Sequence, residues 1–169
     1  EQLAHIAAEI ADAYRAVNGL KLAIVVGGGN IVRGAKLAEK GRIAQATADY
    51  MGMMGTIING LALREALEGT GVASRLMTAL EVKSVAEPFI RARALRHMEK
   101  GRVIILAAGT GNPFFTTDTC ASLRGVELQA QMLLKATKVD GVYTADPKKD
   151  PTATKLNEIK FSEAIAKRL

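Results

Sequence analysis

Tryptophan is absent from this sequence, cysteine occurs once and histidine twice, and each scarcity removes a class of explanation. A single thiol, Cys120, forms no internal disulfide, so nothing points to an oxidising compartment and the cytoplasm is the expected one. Its place near an expected helix start could depress the thiol pKa, but a lone small thiol in an apolar pattern reads as core filling. His5 and His97 stand alone in helical patterns, without a second ligand at metal-binding spacing, and read as structural or solvated. No uncharged apolar run approaches the roughly 20 residues that cross a bilayer. The opening stretch "EQLAHIAAEIADAYRAV" is amphipathic rather than signal-like, so no membrane association is expected. With scattered basic residues, no Trp and no short basic-aromatic motif, a nucleic-acid surface is not expected either. Internal repeats and low-complexity tracts are also missing.

What is present suits one folded domain. The 169 residues are 49% hydrophobic, enough for a buried core. Lys and Arg number 23 against 17 Asp and Glu, a net charge of +6 that favours anionic partners such as small phosphorylated ligands. The stretch "IRARALRHMEK" reads as a solvated helix face with Arg91, Arg93, Arg96 and Lys100 outward.

The periodicity alternates. Leu3, Ile6, Ile10, Tyr14 and Val17 recur at helical spacing until Asn18-Gly19 stops the helix. "LKLAIVV" (20–26) predicts a strand buried on both faces, followed by three glycines and a short helix around 35–40. A long helix is expected over about 47–67, with Met54, Ile57, Ile58 and Leu61 on one stripe. It carries Gly52, Gly55 and Gly60, which suggest close approach to another helix. Further on, the pattern predicts a strand at "GVASRLMTA", a helix begun by Pro88, and a strand at "RVIILAA". It then predicts a helix with Cys120, Leu123, Val126 and Ala130 on one face, a buried strand at "QMLLKAT", a turn-rich loop and a last helix. Such alternation predicts the α/β class, a mostly parallel sheet sandwiched between helices, with ligands at the carboxyl ends of the strands.

Three loops there carry chemistry. "VVGGGNIVRG" follows a strand, and its glycines let backbone N–H groups approach an anion, with Arg33 able to hold phosphate oxygens. It is not the dinucleotide fingerprint, because Val32 stands where the third glycine belongs, and no GxxxxGK[ST] occurs. "GTGNPFFTTD" places Thr116, Thr117 and Asp118 at a helix start, where Thr117 or, preferentially, Asp118 is expected to cap. Capping leaves Thr110, Asn112, Phe114 and Phe115 unexplained; the rings suit a planar ligand or a hydrophobic floor. In "KATKVDGVYTADP", Asp140-Gly141 signals a turn, Tyr143 could pack against a base and Asp146 could meet ribose hydroxyls, although by composition the segment is a surface turn.

Taken in order, "GGGNIVRG", "ADYMGMMGTIINGLALREAL", "AAGTGNPFFTTD" and "LKATKVDGVYTADPKKDPTA" resemble bacterial-type uridylate kinases (UMP kinases) of the amino acid kinase family, nearly end to end. The resemblance implies transfer of the ATP γ-phosphoryl group to UMP, giving UDP and ADP, with Mg²⁺ held mainly by the nucleotide phosphates. It implies that Gly28, Asp49 and Thr110, Gly111, Asn112, Pro113, Phe114, Phe115, Thr116 and Thr117 bind UMP, Asp49 through the ribose. Gly29 and Arg33 would meet the transferring phosphates, Arg33 in the catalytic role, while Thr137, Tyr143 and Asp146 would hold ATP. It further implies a single amino acid kinase-like domain over 1–169, with an acceptor half over roughly 1–130 and an ATP-binding part over roughly 131–169. A homohexamer built from dimers through the glycine-bearing helix, activation by GTP and feedback by UTP complete the expectation.

Two departures accompany it. The family carries an N-terminal strand ending in a Lys-x-Ser-Gly-Glu type motif, whose lysine reaches the phosphates, and a C-terminal part including an aspartate that organises that lysine. Neither occurs here, and with a first residue other than Met the chain reads as an internal segment of a longer domain. Gln131 stands where relatives commonly have an acidic residue. The competing readings are a non-catalytic nucleotide-binding storage or regulatory relative, and another phosphotransferase of the same family acting on a carboxylate or carbamate.

Overall fold

A computed structural model describes residues 2–32, 43–137 and 139–167, which fall into two compact units, Glu1–Leu133 and Leu134–Leu169. In the first unit the chain runs α1 (Gln2–Ala16), β1 (Ala23–Val25), α2 (Gln45–Gly69), β2 (Ser74–Thr78), β3 (Glu87–Pro88), α3 (Arg91–Glu99), β4 (Val103–Ala107) and α4 (Thr117–Glu127). The sheet has four strands in the order β1-β4-β2-β3, all parallel. The α/β class is therefore as the alternation implied.

The central strand explains the layering. β4 reads VIILA with every residue buried, and its side chains alternate between two cores. Val103, Ile105 and Ala107 join Leu63, Leu67 and Leu76 under α1 and α2, whereas Ile104 and Leu106 join Met77, Ala94, Met98 and Leu128 on the other face. Each large aliphatic side chain so buried stabilises the fold by about 1.5–3 kcal/mol.

Several expectations are corrected by where the elements pack. β1 is only half-buried, because it lies at the sheet edge with β4 as its sole strand neighbour among the described residues. α1 buries Ala7 and Ala11 against α2 while Leu3, Ile6 and Val17 stay exposed; small side chains permit the close crossing. On α2, Met54 and Ile58 face outward, and the buried face instead holds Met53, Ile57, Leu63 and Leu67 with Gly55, Thr56 and Gly60. Within the chain, Gly60 admits a strand and Gly55 a loop: a Cβ on Gly60 would lie 2.6 Å from Leu76 Cδ1, and one on Gly55 3.2 Å from the Gly28 oxygen, whereas one on Gly52 would meet nothing within 4 Å.

Pro88 ends the edge strand β3 rather than starting a helix, with Phe89 N–H donating to Thr78 O at 2.9 Å. An edge tolerates the missing N–H of proline. β2 thus leads to β3 without an intervening helix, which breaks the expected alternation. α3 turns Arg91, Arg93, Arg96 and the following Lys100 to solvent as anticipated. His97 is structural: Arg102 donates to its Nδ1 and its Nε2 meets Glu87, each at 3.1 Å.

α4 buries Cys120, Arg124 and the following Leu128, not Leu123 and Val126. Arg124 enters because its guanidinium lies 3.9 Å over the Phe89 ring and binds Glu127 Oε2 at 2.6 Å. Burial pushes the Cys120 thiol pKa up, against an opposing pull from Arg124, so it is the core filling that its pattern suggested. The segment "QMLLKAT" is no buried strand. It has no pairing partner among the described residues, and Met132, Leu133 and Leu134 are exposed.

The second unit holds the antiparallel pair β5 (Val142–Tyr143) and β6 (Lys155–Leu156), then α5 (Phe161–Lys167). The short helix expected around 35–40 lies outside the described residues. Among those described, no helix is long and apolar enough to cross a membrane.

Candidate functional site

The loops after β1 and β4 leave the carboxyl ends of two paired strands, and α2 runs beside both. Val26 N–H still donates to Leu106 O at 3.1 Å, so the loops part only beyond that point. The first then turns on Gly28, whose carbonyl accepts from Ile31 and Val32 N–H at 3.0 and 2.9 Å. Gly28 is buried, its backbone lying directly against the Gly52–Thr56 turn of α2.

The second loop is built from left-handed backbone. Ala108, Gly109, Gly111 and Phe114 have φ of 64, 55, 81 and 69°. Glycine adopts this region freely, but alanine and phenylalanine do so only where their surroundings impose it. Both have such an anchor on α2. The buried Thr56 hydroxyl donates to Met53 O at 2.6 Å and accepts the Ala108 N–H at 2.7 Å. Asp49 Oδ2 accepts the Phe114 N–H at 2.8 Å while Oδ1 accepts from Gln45 at 2.7 Å. Gly111 packs so tightly on Ala79 that an added Cβ would lie 3.2 Å from it.

Further along, the Thr110 hydroxyl and Asn112 backbone bond locally, while the Phe114 and Phe115 rings are exposed on the rim. The helix cap is a correction. Thr116, not Thr117 or Asp118, is the N-cap of α4, its hydroxyl accepting the Thr119 N–H at 3.1 Å. Thr117 is the first helical residue, where its side chain is one position too late to cap, and Asp118 lies in the first turn, where its charge suits the helix dipole.

Of the anticipated site residues, Gly28 packs on the amino-terminal half of α2 and Asp49 belongs to it, while the 110–117 segment is tied there through the Phe114 N–H and, at its root, through Ala108. Gly29 sits in the same glycine loop. Arg33 lies outside the described residues. Thr137, Tyr143 and Asp146 belong to the second unit. There the Tyr143 hydroxyl donates to Asp140, and the Asp146 carboxylate accepts the Lys148 N–H at 3.0 Å, closing a turn. Thr137 Oγ1 accepts from Val139 N–H at 3.5 Å.

The sequence reading missed Thr56, Asn59 and Asn30. Asn59 Nδ2 donates to the Gly27 carbonyl at 2.7 Å and to Asn30 Oδ1 at 2.6 Å, while Asn30 Nδ2 donates back to Asn59 Oδ1 at 3.2 Å. The available signal was a threonine and an asparagine, both poor helix formers, inside an otherwise apolar helix.

Two glycine-bearing loops on adjacent strand ends, pinned to one helix, form an arrangement suited to anions and planar groups. Residues 1–168 match the profile of the amino acid kinase family. The chain belongs to that family. Two solved structures agree along nearly its whole length. UMP kinase from Ureaplasma parvum is 37% identical with a TM-score of 0.90, covering 99% of this chain and 70% of that one. UMP kinase from Bacillus anthracis is 39% identical with a TM-score of 0.91, covering 99% and 68%. Isopentenyl phosphate kinase from T. acidophilum, at 19% identity and a TM-score of 0.63 over 96% and 74%, shares the fold alone. As an amino acid kinase family member the chain is a phosphotransferase, and the fold described above is that of the family.

Proposed function

We propose that this phosphotransferase moves the ATP γ-phosphoryl group to UMP, giving UDP and ADP. The observation that carries the reading is the loop from Ala108 to Thr117, imposed in an unusual backbone by Asp49 and Thr56 and ending on a helix amino terminus. A nucleoside monophosphate asks for these features together: an acidic group for ribose hydroxyls, apolar rings beside the base, and hydroxyls with helix amides for the phosphate. The likeness to UMP kinases at 37% and 39% identity favours UMP among such acceptors.

In this reading Asp49 has a double duty, because a carboxylate oxygen that holds the Phe114 N–H retains a lone pair for a ribose hydroxyl. Gly28 and Gly29 bring backbone to the transferring phosphates and Arg33 adds charge there; Thr137, Tyr143 and Asp146 serve the ATP. Phosphoryl transfer needs little covalent work from the protein. It needs donor and acceptor held in line and charge neutralised, and the attacking phosphate oxygen is already ionised, so no general base is assigned. Among the described residues no group of three or more His, Cys, Asp or Glu could cage a metal ion. Mg²⁺ would enter on ATP, held mainly by phosphate oxygens, and would supply positive charge to the transferring group.

The proposed assembly is a homohexamer of dimers. The outward face of α2, with Tyr50, Met51, Met54 and Ile58 exposed, is the apolar surface such a dimer would use. GTP and UTP are the proposed activator and inhibitor.

The deciding experiment, run on the full-length protein, is ADP release with MgATP and UMP, CMP or AMP as acceptor. UMP is expected to be used far faster than the others. Equal rates on all three would point to an unselective kinase, and nucleotide binding without turnover to a storage or regulatory relative.

A further inference from the structure

Asn59 sits in the middle of a 25-residue helix, yet its amide is turned wholly to a loop 29 to 32 residues earlier in the chain. Both N–H donors of Asn59 are used, one on the Gly27 carbonyl and one on Asn30, and its oxygen takes a third bond from Asn30. One helical turn earlier, the Thr56 hydroxyl takes the Ala108 N–H at the root of the other loop. Residues three apart share a helix face. The two loops are therefore hung from neighbouring positions on one rigid element, and the separation between them follows from the helix repeat.

Neither contact is needed to form α2. Asn is a weak helix former, and a threonine that bonds back to a carbonyl three or four residues earlier slightly destabilises its helix. Both side chains act on the loops instead. Thr56 and Ala108 are both buried, so the Thr56 hydroxyl satisfies an N–H that water does not reach, on a residue held in the left-handed region.

We propose that Thr56 and Asn59 are positioning residues that set the spacing between the glycine-rich loop and the 108–116 loop, and so the alignment of donor and acceptor phosphates. The proposal rests on the kinase reading above for the identity of those phosphates, but not for the geometry. A misplacement of about 1 Å between reacting groups costs on the order of 100-fold in rate.

The test uses the full-length protein with Asn59→Ala, Asn59→Ala with Asn30→Ala, Thr56→Val and Thr56→Ser. Ala favours the helix over Asn, so N59A keeps its fold. Expected for N59A and T56V is a kcat lowered about 100-fold, with KM for UMP changed less than about threefold and no matching fall in thermal midpoint for N59A. T56S restores the rate, and the double variant is no worse than N59A alone. Amide hydrogen exchange supplies a readout independent of turnover: T56V is expected to speed exchange at Ala108 about tenfold, and N59A at Ile31 and Val32 likewise. Unchanged kcat in an active background, or loop amides that exchange as in the unaltered protein, overturns the proposal. An unaltered protein that fails on UMP refutes the UMP kinase reading alone, and the exchange rates then decide the positioning.

Discussion

A Cβ on Gly28 would lie 2.5 Å from the Gly52 carbonyl oxygen, 2.8 Å from the Thr56 nitrogen and 3.1 Å from the Gly55 carbonyl carbon. All three are helix backbone, which has no rotamer to yield. Gly28→Ala is therefore expected to cost about 1–3 kcal/mol by overpacking, each kcal/mol lowering the thermal midpoint by roughly 2–4 °C in a chain of this length. A calorimetric scan that shows no fall would refute the close approach. The glycine cluster itself was plain in the sequence, where it suggested only backbone approaching an anion. That one of its members is required by the flank of α2 could not be read there, since the contact joins residues 24 and more positions apart. The same applies to Asp49, whose carboxylate was expected to meet a ribose and is also the anchor for Phe114.

Among the elements, the β5–β6 hairpin offers the clearest pH dependence. Lys155 donates to one carboxylate oxygen of Asp140 at 2.8 Å and Tyr143 to the other at 2.7 Å. These bonds, Lys155 first, hold the Asp140 carboxyl at about 2, well below its ordinary 3.8. The Lys155 ammonium and the Tyr143 hydroxyl are both shifted up by the same carboxylate. A depressed carboxyl stabilises the fold above its unfolded pKa and loses that contribution as pH falls through the folded value. The raised lysine contributes below its own unfolded value and loses its share as pH rises through the folded one. The triad is thus intact from about pH 4 to pH 10. An NMR titration of the Asp140 carboxyl carbon is expected to give a midpoint near 2, moving up toward 3.8 in Lys155→Met. A midpoint that ignores Lys155 would remove the ion pair from the account.

For the whole molecule, the decisive surfaces are those left uncovered. α2 turns one face to the sheet and loops and the other outward with Tyr50, Met51, Met54 and Ile58 between 36% and 55% exposed. An apolar row at helical spacing on an otherwise packed element is what association of two copies would cover. The mass in solution is expected to exceed that of one 17.9 kDa chain. Met54→Glu with Ile58→Glu is expected to return it toward that value, and a monomeric unaltered protein would count against the proposed dimer.

The sequence by itself determined the class of fold and the order of loops, because strand burial and helix periodicity are local patterns. "RVIILAA" could be little else than a strand covered on both faces, and β4 is that strand. It also determined which segments carry glycine, hydroxyl and carboxylate at strand ends. Tertiary structure decided the rest. Whether Leu123 or Arg124 faces inward depended on the Phe89 ring, whether Pro88 began a helix depended on Thr78, and what Gly55 of α2 met depended on where Gly28 came to lie. Each is a contact between distant residues, and periodicity says which positions share a face but not what that face will touch.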